Sequence, residues 1–159
     1  RARILAFLNP WLDPQGTGFQ IIQSQIALGS GGLIGLGLGH GRQKLFYLPA
    51  AHTDFIFSII AEELGLFGAC AVILLFIFLT WQMGRIIRQV NDPFGKLIGV
   101  GVMTLITFSA VVNIGVSIGA LPTKGLPLPF ISYGGSSLVF YMVAVGLLLN
   151  VSKSEEVAL

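Results

Sequence analysis

The stretch HTDFIFSIIAEELG, residues 52 to 65, holds three carboxylates, Asp54, Glu62 and Glu63, at the head of an apolar run with no further charge until Arg85. A carboxylate so placed can be a general base, a charge anchor or part of a helix start. Thr53 followed by Asp54 has the pattern of a helix start, a hydroxyl cap and then an acid at the positive end of the helix dipole. The same acid stands at the edge of an apolar segment, where an ionisable group is a functional candidate. On a continuous helix Asp54, Ser58 and Glu62 share one face, and a rise of 1.5 Å per residue puts Asp54 about 12 Å from Glu62. Paired glycosidase carboxylates sit roughly 5 to 9.5 Å apart, so a two-carboxylate hydrolase site is disfavoured and Asp54 would act alone. Glu62 and Glu63 point about 100° apart around the axis. Only one can share the face of Asp54, and packing against polar groups of neighbouring helices is the expected role for them.

A second candidate is GLPLPFISYGGSSL, residues 125 to 138. Pro127 and Pro129 prevent a continuous helix, Gly134 and Gly135 allow an unusual turn, and Ser136 or Ser137 can cap the helix that follows. The stretch reads either as a re-entrant cap or as a phosphate site, since a helix start offers free N–H groups and the positive end of its dipole. Lys124 would add a cationic contact, or is simply solvated. Lys44, His52 and Ser132 in the same two connecting segments complete the candidate substrate contacts. The run GLGLGHG, residues 35 to 41, lacks the strand and helix that a dinucleotide loop requires, so close helix packing and a flexible exit are expected instead. His40 and His52 have no zinc-ligand spacing, and no metal site is expected on them.

The elements that must hold these residues are membrane spans. Of 159 residues, 54% are hydrophobic and 10% charged, and the mean hydropathy is +0.86, far above what a soluble core needs. The chain opens with Arg1-Ala2-Arg3 and no cleavable signal pattern, and reads as part of something longer. The single cysteine, Cys70, can form no internal disulfide. A net charge of +2 from scattered basic residues gives no grip on nucleic acid. Four spans are expected, at about 17–39, 66–83, 97–120 and 136–151, with outer connections at 40–65 and 121–135. The fold class is therefore an all-α polytopic helical bundle, one domain, with broken or re-entrant outer loops. Gln20, Gln23 and Gln25 and a ladder of glycines mark 17–39 as facing a bundle interior or cavity, with Gln23 a cavity residue. With four crossings, Arg1, Arg3, Arg85, Arg88, Lys96 and Lys153 fall on one side and Arg42, Lys44 and Lys124 on the other. The first side is cytoplasmic by the excess of positive charge. The Pro- and Gly-rich connections then face outward and are expected to fold over or dip into a shared outer cavity.

Three blocks, DPQGTGFQIIQSQIALGSGGLIGLGLG (13–39), LPAAHTDFIFSIIAEELGLFG (48–68) and NIGVSIGALPTKGLPLPFISYGGSSL (113–138), resemble the SEDS family (shape, elongation, division and sporulation) of polytopic peptidoglycan glycosyltransferases. The form LPTKGLPLPFISYGGSS is most similar to the cell-division branch. The resemblance implies about ten spans, of which this chain would supply the last four. It implies polymerisation of lipid II outside the bacterial plasma membrane, with the growing glycan passing from its undecaprenyl pyrophosphate carrier to the 4-hydroxyl of an incoming GlcNAc. The family's outer-loop acid falls on Asp54 of HTDF, where it would deprotonate the acceptor. A divalent cation (magnesium or manganese) and a class B penicillin-binding transpeptidase are the implied cofactor and partner, alongside other division proteins. Other polar cavity residues of the family would lie in the preceding spans. Two readings compete with the enzyme: a lipid II flippase, which needs a polar path to both faces, and a non-catalytic division scaffold, which leaves Asp54 without a task.

The sidedness is testable by itself. Single cysteines at Gln43 and Asn91, in a Cys70→Ala background, are expected to react with an impermeant maleimide from opposite faces of the membrane. Labelling of both from one face would refute the assignment.

Overall fold

The computed structural model of the chain describes residues 7, 9–12, 14, 18–37, 39, 55–122 and 125–156. The secondary structure among them is helical, as expected. A short 3-10 turn at Pro10–Leu12 precedes α1 (Phe19–Gly31), α2 (Ile56–Gln89), α3 (Pro93–Ser117) and α4 (Gly135–Glu156). Three helices are long and apolar enough to cross a membrane: Ile56–Gln89, Pro93–Ser117 and the Gly135–Lys153 part of α4. The expected span at 17–39 is not one continuous helix. α1 has 13 residues, about 20 Å against a hydrocarbon core of about 30 Å, and the glycines that follow it carry the chain away in positive-φ conformations.

α2 is broken at Gly65, whose φ of 67° and ψ of −161° are outside the helical region. In an unbroken helix the N–H groups of Leu66 and Phe67 would bond to the carbonyls of Glu62 and Glu63. Instead Leu66 donates to Gly32 at 3.0 Å and Phe67 to Leu33 at 3.5 Å, while Leu36 and Gly37 donate to the carbonyls of Glu62 and Glu63, each at 3.0 Å. The two segments thus exchange backbone bonds with a constant offset: 32 and 33 play toward 66 and 67 the part that 62 and 63 play toward 36 and 37. Lipid offers no hydrogen bonds, so a break at this depth is tolerable only with such replacement partners. The glycines permit the approach. A Cβ on Gly31 would strike the Ala61 carbonyl, one on Gly35 the Glu63 carbonyl, and one on Gly65 the Gly35 nitrogen.

Below the break, residues 66–89 extend about 36 Å, and most of their side chains are exposed: Phe67, Leu74, Leu75, Ile77 and Phe78 are examples. An all-round apolar surface of this kind is what lipid or further spans would cover. α3 starts at a well-formed cap, Asp92 accepting from the Gly95 N–H at 2.6 Å with Pro93 in the first turn. It ends at Ser117 with Ile118 as its cap; Gly119 follows at φ 75°, and the N–H groups of Ala120 and Leu121 return to the Gly115 carbonyl at 2.7 and 3.1 Å. α4 buries one stripe, Tyr141, Ala144 and Leu148, against Met83, Ile87, Val102 and Ile106. The end of α2, the start of α3 and the end of α4 therefore lie together, and Arg85, Arg88, Lys96 and Lys153 belong to that end.

Gly65→Ala places a side chain in a backbone region reserved for glycine and into the 32–37 strap, costs of about 1–3 kcal/mol from the dihedral alone. Gly101 lies mid-helix with open space around it, so Gly101→Ala is expected to be neutral or stabilising by about 0.5–1 kcal/mol. Thermal unfolding in detergent should separate the two variants, and equal midpoints would contradict the exchange at the break.

Candidate functional site

Asp54, Lys44, His52 and Lys124 lie outside the described residues, which resume at Phe55 and Gly125. Phe55, which follows Asp54 in the chain, is 2% exposed and packs with Ile59, Val112 and Val116. It occupies the position before the first turn of α2, with no side-chain cap, and its carbonyl accepts from the N–H groups of Ser58 and Ile59 at 3.1 and 3.4 Å. The start expected at Thr53 is thus displaced: a buried aromatic anchors the helix entrance where the sequence suggested a hydroxyl cap. Asp54 stands one residue outside the capping position, and no acid lies in the first turn.

The segment 56–64 is held by polar contacts that sequence reasoning only half found. Ser24 of α1, Ser58 of α2 and Ser117 of α3 are each fully buried. The Ser24 hydroxyl donates to the Ser117 carbonyl at 2.7 Å. Its one proton being engaged, the 2.6 Å contact between Ser24 and Ser58 has Ser58 as the donor. Ser58 was legible as a neighbour of Asp54 on one helix face. Ser24 and Ser117 carry no signal except being small and polar within apolar helices. Ser58 and Glu62, one turn apart, do share a buried face, with Glu62 1% and Glu63 9% exposed. Gln23 is half-buried beside Ser24, and Gln25 lies against Gly119 at the end of α3.

The Pro-rich connection folds back into this end, as its composition suggested. Asn113 of α3 donates through Nδ2 to the Leu126 carbonyl at 2.8 Å, and Leu128 and Pro129 are buried among α2 and α3 side chains. Ser132 is 7% exposed. Its Oγ accepts from the Leu128 N–H at 2.7 Å, and its own N–H returns to the Leu128 carbonyl at 3.0 Å. Phe130, between them, takes a positive φ of 64°. At the start of α4 Ser136 is exposed and Ser137 half-buried. The Ser137 hydroxyl donates to the Gly134 carbonyl at 2.8 Å, and the first N–H to reach back is that of Leu138. The N–H groups of residues 135–137 are therefore the donors this helix start can offer an anion. Among the described residues, no three His, Cys, Asp or Glu side chains come together as a metal-ligand set.

Residues 1–157 match the FtsW/RodA/SpoVE family model, described as a cell cycle protein. The chain is 58% identical over 152 residues to a probable peptidoglycan glycosyltransferase FtsW of Geobacter metallireducens, covering 96% of this chain and 40% of that protein. It is 53% identical over 151 residues to stage V sporulation protein E of Bacillus subtilis, covering 95% and 41%. The chain thus spans about two fifths of the length of these curated relatives. A solved peptidoglycan synthase complex, described as coordinating polymerization and crosslinking, superposes with a TM-score of 0.74 at 36% identity, covering 96% of this chain and 41% of the matched one. The Rod shape determining protein RodA of Thermus thermophilus, solved as an Asp-to-Ala mutant, superposes with a TM-score of 0.63 at 27% identity, covering 96% and 56%.

The serine cluster predicts an asymmetric response. Ser24→Ala leaves the Ser58 hydroxyl and the Ser117 carbonyl buried without their partner, a loss of about 1–3 kcal/mol. Ser117→Ala keeps the carbonyl and removes a hydroxyl oxygen with no partner among the described residues, so its effect should lie within about 0.5 kcal/mol. Unfolding midpoints in detergent check this, and equal losses would refute the assigned bonding.

Proposed function

The chain belongs to the FtsW/RodA/SpoVE family, a family of membrane proteins, and on that premise we propose that it forms part of a peptidoglycan glycosyltransferase. The enzyme would polymerise lipid II into glycan strands at the outer face of the plasma membrane during septal wall synthesis. The observation that carries this reading is the gathering of buried polar groups at one end of the bundle. Ser24, Ser58, Glu62, Glu63, Asn113 and Ser117 are buried there, while Arg85, Arg88, Lys96 and Lys153 belong to the other end. With the basic end cytoplasmic, the polar end, where Phe55 starts α2, would face outward, where a lipid-linked glycan precursor is used. Between the two ends α2 is uninterruptedly apolar from Ala71 to Leu79, which disfavours a flippase needing polar lining to both faces. A scaffold without chemistry gives no role to an acid held one residue beyond a buried anchor.

In the proposed reaction Asp54 takes the proton from the 4-hydroxyl of the acceptor GlcNAc as its oxygen bonds to the anomeric carbon of the growing glycan. The bond from that carbon to the carrier's pyrophosphate breaks, and undecaprenyl pyrophosphate leaves. The N–H groups at the start of α4, with Lys124 nearby in sequence, suit the departing charge. Since the Ser137 hydroxyl is engaged with Gly134, backbone donors and the exposed Ser136 are the contacts proposed there, with Lys44 and His52 as further substrate contacts. Ser132 supports the loop from within. The divalent cation the family implies has no ligand set among the described residues, and no step is routed through it. A class B penicillin-binding transpeptidase is the proposed partner, supported by the likeness to a complex described as coordinating polymerization and crosslinking.

Asp54→Asn tests the base. A positioned carboxylate is worth roughly 10² to 10⁴ in rate, and Asn preserves size. In the full-length protein the variant is expected to insert, accumulate and retain its partner while glycan formation from purified lipid II falls to background. Glu62→Gln, altering a buried packing residue, should keep far more activity. Polymerisation by Asp54→Asn within a few-fold of the parent would overturn the assignment.

A further inference from the structure

A groove of about 350 Å³ runs along the α2/α3 seam, lined by Ile73, Ile77, Trp81, Val111 and Ile114 together with Thr80 and Thr107. Its residues on α2 span about 12 Å, close to one leaflet's half of the hydrocarbon core. The lining is closed to polar ligands. Thr80 Oγ1 donates to the Phe76 carbonyl at 2.8 Å, so the 3.0 Å contact between the two threonines has Thr107 as donor to Thr80, and both hydroxyl protons are engaged. The groove's rim is exposed, with Trp81 at 56% and Val111 at 59%.

At the end of the groove that carries Trp81, the Arg85 guanidinium lies 5.1 Å from the Trp81 ring centre. Among the described residues its polar partner is the amide oxygen of Gln82 at 3.5 Å, and no carboxylate of those residues pairs with it. Arg88, Lys96 and Lys153 are exposed at the same end. In sequence these four basic residues outnumber Asp92, Glu155 and Glu156 there, and Asp92 is engaged as the cap of α3. An apolar, acyl-sized channel thus opens beside a tryptophan with a cation over its ring, at the helix end that carries the basic residues. We propose that the α2/α3 groove is a binding site for an anionic phospholipid of the leaflet at the basic end, one acyl chain lying between Ile73 and Trp81 and the headgroup phosphate meeting Arg85. Charge complementarity selects the headgroup, the apolar lining accepts the chain, and the aromatic ring marks the boundary between them. Arg85, where the headgroup phosphate would sit, is at the end opposite the proposed catalytic one, and the proposal does not depend on that reading.

The test uses the whole protein in phosphatidylcholine nanodiscs doped with phosphatidylglycerol or phosphatidylcholine bearing a photoactivatable acyl chain, with labelled peptides mapped after illumination. Labelling of 73–81 and 107–114 by the phosphatidylglycerol probe is expected to exceed that by phosphatidylcholine about five-fold, the order contributed by one interfacial arginine. Arg85→Ala should bring the two probes to parity, Arg85→Lys should restore part of the excess, and Val111→Trp should lower labelling by both by filling the groove. Equal labelling in the parent would reduce the site to a non-selective lipid contact. No labelling of these peptides would mean that other protein covers the groove. Either result overturns the proposal.

Discussion

The structure depends on a backbone exchange at Gly65. A helix entering an apolar medium has to keep its N–H and C=O groups paired, because no solvent is present to do it. α2 gives up its bonds at 62, 63, 66 and 67 and receives others from residues 32, 33, 36 and 37. This separates the helix into two parts with different surroundings. Residues 56–64 pack inside the bundle, with Phe57, Ser58, Ile59, Ala61, Glu62 and Glu63 all buried, while residues 66–89 form a span whose sides are mostly exposed. Without the strap at 32–37, a break at this depth would leave four backbone groups unpaired at several kcal/mol each.

The exchange also accounts for the glycine ladder. Gly31, Gly35 and Gly65 are the points where two backbones come within contact distance and a Cβ has no room. Gly32, Gly35 and Gly65 hold φ values of 54°, 86° and 67° that few other residues adopt. Small residues at a helix contact inside a membrane are a common means of close approach. Here the approach is close enough for main-chain hydrogen bonding between the two segments.

How much of this was legible in the sequence follows from what each feature is made of. The long apolar runs from Leu66 and Leu97 announce themselves by composition, and the broken connection at Pro127 and Pro129 is written in residues with local conformational rules. The shortness of α1 was not legible. Its apolar character continues past Gly31, and whether glycines extend a span or exchange partners with another helix depends on a segment thirty positions away. The serine contacts are hidden for the same reason, since Ser24, Ser58 and Ser117 meet only after three helices have packed. The helix start expected at Thr53 was not legible, because local capping preference lost to the burial of Phe55 between Ile59 and Val116.

These features converge on the short segment between Phe55 and Gly65. It is fixed at its entrance by the buried phenyl ring, in its first turn by Ser58 bound to Ser24 and through it to Ser117, and at its exit by the exchange with 32–37. Three attachments over about 14 Å make a strut, and a reactive group needs its support held to within about 0.5 Å. A loop alone does not supply that, and a lipid-facing span free to tilt does not either. The strut joins both: its outer end is Phe55, the residue after Asp54 in the chain, and its inner end is tied to the 32–37 strap by main-chain bonds that side-chain variation cannot remove. The placement of residues 55–64 is therefore set by the strap and the serine contacts, and the exposed face of α2 is left free for what surrounds it.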